Sequence, residues 1–152
     1  MKNLTPPIAL GALVALATMS TSASAQTVTM TVTDNNGTKP ALYSGSSCTG
    51  GSCPTSFPST SAGSTTPPFS ATSSSGNTIS MIAYYGYNVG TTAYTCQFTL
   101  AEPIDPSTGA CSTPVYSAVA TAGKYPSPSC KAATPSNPVQ PSCTVNVAFT
   151  IN

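Results

Sequence analysis

The sequence predicts an all-β protein, an antiparallel β-sandwich of six to eight short strands of Ig-like or Greek-key type, stapled by disulfides. Three observations carry that expectation. Beyond residue 25, apolar residues alternate with threonine, serine and asparagine over several short segments, and none follows the 3.6-residue period of a helix. Thirteen prolines and ten glycines beyond residue 25 punctuate those segments, as short strands joined by tight turns require. Six cysteines, an even number, all lie after residue 47.

Residues 1–25 open with Lys2, continue through the apolar run I-A-L-G-A-L-V-A-L-A-T-M and end on S-T-S-A-S-A. A basic start, a short apolar middle and small residues at Ala23 and Ala25 have the form of a secretory signal peptide cleaved before Gln26. The run is shorter than the ~20 residues needed to cross a bilayer. Residues 26–152 then form a single sandwich domain, destined for an extracellular, cell-surface or periplasmic space where thiols oxidise.

T-V-T-M-T-V-T, from Thr27, alternates strictly, with Val28, Met30 and Val32 on one face and threonines on the other. It ends at D-N-N-G-T, where Asn36-Gly37 suits a tight hairpin turn and Ala41–Tyr43 supplies a short return strand. Asn36-Gly37-Thr38 also matches the N-glycosylation pattern, but it is read here as a turn. A Ser-, Thr- and Gly-rich excursion at about 44–78 follows, interrupted by a strand near Phe69–Thr72 and anchored by Phe57 and Phe69.

Ile79–Tyr87 is apolar on both faces and reads as a central strand covered twice. Thr92–Leu100 returns beyond N-V-G as its hairpin partner, with Tyr94, Cys96, Phe98 and Leu100 facing inward. The proline-bracketed loop 103–114 leads to the weaker strand V-Y-S-A-V-A-T-A. The proline-rich stretch 126–141 shows no strand pattern. C-T-V-N-V-A-F-T-I-N places Cys143, Val145, Val147, Phe149 and Ile151 on one face of a final strand.

The sulfur chemistry is read as three bridges. Cys48 and Cys53 close a local loop around two glycines. Cys96 with Cys143, both facing the core, and Cys111 with Cys130, both in neighbouring loops, complete the expected set. Without histidine, and with only one closely spaced cysteine pair, no common zinc site is matched, so neither a metal nor another cofactor is expected.

Charge narrows the partners. The chain has four lysines, no arginine and three acids; removing Lys2 leaves three against three. Nucleic acid and anionic membranes are recognised through clustered charge that this chain does not have. Low net charge also weakens mutual repulsion and favours self-association. Ser-His and Cys-His catalysis need a histidine. Glu102 and Asp105 in E-P-I-D-P are the only neighbouring carboxylates, and they read as solvated loop acids rather than a glycosidase pair or a calcium site.

The aromatic residues cluster in M-I-A-Y-Y-G-Y. Tyr84 and Tyr85 point to opposite faces of their strand, so one belongs to the core, whereas Tyr87, beside a turn, is expected to be exposed. Tyr43, Tyr87 and Tyr125 are the candidate ligand-binding rings for a neutral glycan or lipid headgroup. T-V-T-M-T-V-T resembles the donor strand that bacterial fimbrial subunits pass to a neighbour. That resemblance covers about the first ten residues after the signal and implies assembly into a surface layer. It departs in the six cysteines, where a typical fimbrial subunit has one bridge. The layout of short strands and Ser/Thr turns is also similar to that of aegerolysin-type sandwiches, which are rich in tryptophan, and this chain has none.

The expected function is a secreted, non-catalytic surface, structural or adhesive binding module working through neutral polar contacts, including with copies of itself. The alternatives are an inhibitor or effector presenting the stapled loop 103–114, and a lipid- or glycan-binding sandwich.

Overall fold

Alternation along Q-T-V-T-M-T-V-T-D buries Gln26, Val28, Met30, Val32 and Asp34 on one face of strand β1 (Gln26–Asp34) and leaves its threonines half-buried on the other. The computed structural model describes residues 25–37, 40–74, 77–89, 92–105, 107–121, 129–135, 138 and 142–152. Residues 1–24, within the stretch 1–25 expected to be a signal peptide, lie outside that description, as do Lys39, Lys124, Tyr125 and the side chains of Tyr43 and Tyr94.

Among the described residues, seven further strands follow β1: β2 (Leu42–Thr49), β3 (Phe69–Ser73), β4 (Ile79–Val89), β5 (Thr92–Glu102), β6 (Val115–Thr121), β7 (Cys130–Ala132) and β8 (Thr144–Ile151). They form two four-stranded sheets packed face to face. Sheet A has the order β3-β1-β8-β7 and sheet B the order β2-β4-β5-β6. Between them Phe98 of β5 stacks on Phe149 of β8 with ring centroids 4.7 Å apart, and Tyr85 of β4 tilts against Phe98 at 6.1 Å. Such ring pairs contribute about 0.5–1.5 kcal/mol beyond their buried area. Met30, Ile79, Met81, Leu100 and Ile151 fill the remaining core.

Several expectations hold. β4 and β5 form a hairpin in continuous register from Ile79↔Glu102 to Val89↔Thr92. β3 interrupts the Ser/Thr excursion, and Phe57 packs edge-on against the buried Phe69 at 5.3 Å. The excursion is tied to β1 by bonds from Thr66 N to Val32 O and from Asp34 N to Ser64 O. At Gly50 the backbone takes φ +87°, and a Cβ there would lie 1.9 Å from the Thr78 carbonyl oxygen, so the C-T-G-G-S-C turn can approach β4 only with glycine.

Other expectations are corrected. β1 and β2 do not form a hairpin, because β2 crosses to sheet B and pairs with β4. The sandwich is not wholly antiparallel either, since β1 and β8 run parallel over eight residue pairs, from Thr27↔Thr144 to Asp34↔Ile151. Only a tight turn obliges two strands to run opposite ways, and none joins these. The proline-rich stretch contains β7, which is three residues long and too short for any periodicity to show. β4 is covered on one face only: Ile82 and Tyr84 on the outer face are half-buried.

Three disulfides hold the sheets: Cys48–Cys53, Cys96–Cys130 and Cys111–Cys143. The first agrees with expectation, and the exchange of partners in the other two has an axial cause. Cys96 and Cys143 are both buried, but Cys143 sits beside Thr27 at the Glu102 end of the sandwich. Cys96 lies six positions back along β5, about 20 Å away at 3.3 Å per residue. Cys130, paired with Ile151, is at the level of Cys96. Bridges of this kind persist in oxidising compartments.

Candidate functional site

The outward face of sheet A is built from the half of the β1 alternation that does not enter the core. Register brings Thr72, Thr27 and Thr144 into one row and Ser70, Thr29 and Asn146 into the next, followed by Thr31 beside Ala148 and Thr33 beside Thr150. Two cross-strand hydroxyl pairs, Thr29 Oγ1 with Ser70 Oγ and Thr33 Oγ1 with Thr65 Oγ1, each at 2.8 Å, hold these side chains in place. A groove of about 370 Å³ crosses this face, lined by Thr29, Thr31, Pro68, Thr134, Asn146 and Ala148 among others. Among the described residues, no ionisable side chain lines it. Hydroxyls and one carboxamide above a methyl-rich floor can exchange hydrogen bonds with neutral hydroxyl groups, but they offer no group able to move a proton near neutral pH.

The acids lie elsewhere. Asp34, on the inward face at the end of β1, is fully buried. Its carboxylate accepts bonds from the Asn36 and Ala41 amides, at 2.8 and 3.0 Å, and from the Tyr87 hydroxyl. Burial first, and the Asp34 carboxylate second, push the Tyr87 phenol pKa above its usual range. Tyr87 is therefore not the exposed ring expected beside a turn. It is 5 % exposed, continuing the inward series Ile79, Met81, Ala83 and Tyr85.

Glu102 likewise is not a solvated loop acid. It takes the last inward position of β5 and is fully buried. Gln26 donates from Nε2 to the Glu102 carbonyl oxygen at 3.1 Å, yet neither Glu102 carboxyl oxygen has a hydrogen-bond partner among the described residues. Desolvation raises its pKa to about 7. The sulfurs of Cys111 and Cys143 lie within 4.8 Å, but they are bonded to each other and offer no thiolate to a metal.

Asp105 belongs to a tight turn in the loop 103–114. Its Oδ1 accepts from the Ser107 hydroxyl and amide, at 2.6 and 2.8 Å, which lowers its pKa. The Asp105 amide donates to Ala110 O, the Gly109 amide donates to Asp105 O, and the Cys111–Cys143 bridge fastens the base. Glu102 and Asp105 thus face different surroundings, one inside the sandwich and one at its surface.

Of the candidate rings, only the side chain of Tyr87 falls within the described residues, and it is structural. Sequence reasoning missed the groove. Its signal was present in the outward threonines of T-V-T-M-T-V-T and the outward Asn146 of the last strand. No known protein family matches the chain, and neither does any curated protein.

Proposed function

We propose that the chain is an exported, non-catalytic surface module that binds a neutral, hydroxyl-rich ligand, a glycan, on the outer face of sheet A. The observation that carries this reading is the uncharged groove in which Thr29, Thr31, Thr134 and Asn146 present hydrogen-bonding groups beside Pro68 and Ala148. The leader-like residues 1–25 and the three disulfides support export to an oxidising space. Confinement of Asp34 and Glu102 to the interior supports a role without catalysis.

A panel of immobilised neutral glycans tests the reading. Retention should be nearly the same at low and moderate salt, because no charge takes part. Thr31→Lys and Asn146→Lys should each abolish it, while Glu102→Gln should leave it intact. Retention that collapses with salt, or that survives both lysine substitutions, refutes the assignment.

A second reading, an inhibitor or effector presenting the loop 103–114, has its own support in the hydrogen-bonded turn from Asp105 to Ala110 and the bridge at Cys111, which preorganise the loop. It predicts that replacing Ser107 and Thr108 abolishes partner binding without unfolding the chain.

A further inference from the structure

Each sheet ends in two edge strands, whose unpaired backbone groups invite another strand unless something blocks the approach. Three of the four edges are blocked. β2 is irregular between Tyr43 and Gly45 and runs into the Cys48–Cys53 loop. β3 follows Pro67-Pro68, and on its outer side Thr72 exchanges backbone hydrogen bonds of 2.7 and 3.0 Å with Ser52. β7 is three residues long and exposes Lys131.

β6 is different. Its seven residues, V-Y-S-A-V-A-T, pair with β5 without a register break and contain no charge and no proline. Among the described residues β5 is its only partner strand. Val115, Tyr116 and Val119 are 59, 37 and 51 % exposed, and they are the exposed large hydrophobic residues of the described chain. The Cys96–Cys130 bridge ties the adjacent β5 to β7, so this edge stands on a rigid support.

We propose that β6 pairs antiparallel with β6 of a second copy about a two-fold axis, joining the two B sheets into one continuous eight-stranded sheet. A backbone edge selects an extended strand as its occupant, and an uncharged apolar edge selects one without charges, since burying an unpaired charge is costly. The same strand from a second copy meets both demands. Full overlap of two antiparallel seven-residue strands is centred on Ala118, which sets Val119 opposite Ser117 and Val115 opposite Thr121 of the other copy. Val119 and Ser117 share one face of β6, so an apolar group meets a small hydroxyl-bearing one, and the strand brings no charge to the pairing. With three lysines and three acids after residue 25, the two copies also carry little mutual repulsion. The groove on sheet A is left open, so this pairing does not depend on the proposed ligand.

Sedimentation equilibrium of the exported chain over a range of concentrations tests the pairing, with hydrogen exchange as a second readout. The expected result is a monomer–dimer equilibrium insensitive to salt, with amides of residues 115–121 gaining protection as concentration rises. Val119→Lys sets an ammonium in the paired edge and should weaken association by about tenfold or more. Val115→Lys, at the most exposed of the three positions, should do the same and serves as the check should the first variant misfold. A wild-type chain that stays monomeric throughout, or folded lysine variants that associate as the wild type does, would overturn the proposal. So would association that protects amides elsewhere and leaves 115–121 unchanged.

Discussion

The Tyr87 hydroxyl of sheet B donates a hydrogen bond to the Asp34 carboxylate of sheet A, closing one end of the sandwich from within. Asp34 sits where the chain leaves β1 for the opposite sheet, and the Ala41 amide, just before β2, turns back to the same carboxylate. One acid therefore fixes both the crossover and the contact between layers. Tyr87→Phe keeps the ring and removes the donor, which leaves a buried carboxylate one partner short. The expected loss is about 1–3 kcal/mol, read from urea unfolding.

The opposite end holds Glu102, whose contribution to stability depends on pH. Its folded pKa of about 7 lies above the ordinary 4.5, so its contribution to stability is complete below about pH 4.5 and is lost as pH rises through about 7. Glu102→Gln cannot ionise. The variant should match the wild type at pH 4.5 and unfold at higher urea at pH 8; equal urea midpoints at pH 8 would show that the buried carboxyl meets no desolvation penalty.

The bridges differ in loop length, and their removal should rank accordingly. Replacing Cys96 and Cys130 by alanine, 34 residues apart, should cost about 4 kcal/mol on the chain-entropy scale, whereas opening Cys48–Cys53, five apart, should cost about 2. Peptide mapping of the unreduced protein checks the pairing itself and should recover Cys96 with Cys130 and Cys111 with Cys143.

Gly50 offers a backbone test. Alanine there adds a Cβ against the Thr78 carbonyl at a positive φ, so the C-T-G-G-S-C turn must shift away from β4. Thermal unfolding of Gly50→Ala should move down by several degrees, corresponding to a destabilisation of at least ~1 kcal/mol.

Much of this architecture could be read from side-chain parity. The inward series Val145, Val147, Phe149, Ile151 and the β4–β5 hairpin follow directly from alternation, because a half-buried strand repeats every two residues. The same rule, carried one step further, reaches Tyr87 from Tyr85 and Glu102 from Leu100. A nearby turn and a following proline suggested exposure at those two positions, but β4 continues to Val89 and β5 keeps its alternation up to Glu102, directly before the proline. Parity says nothing, however, about level along a strand or about direction. That is why burial alone paired Cys96 with Cys143, and why the parallel run of β1 beside β8 was not visible. The groove escaped notice for a related reason: single threonines read as solvated, and only register assembles them into rows.

The partnership of β1 with β8 also has a kinetic meaning. The opening strand of the domain finds its longest neighbour more than a hundred residues downstream, so sheet A cannot close until the chain as far as Ile151 is free to fold. Contacts that distant are slow to form. A polypeptide emerging through a narrow exit would stay threadable until β8 is released, and premature collapse is discouraged by topology alone.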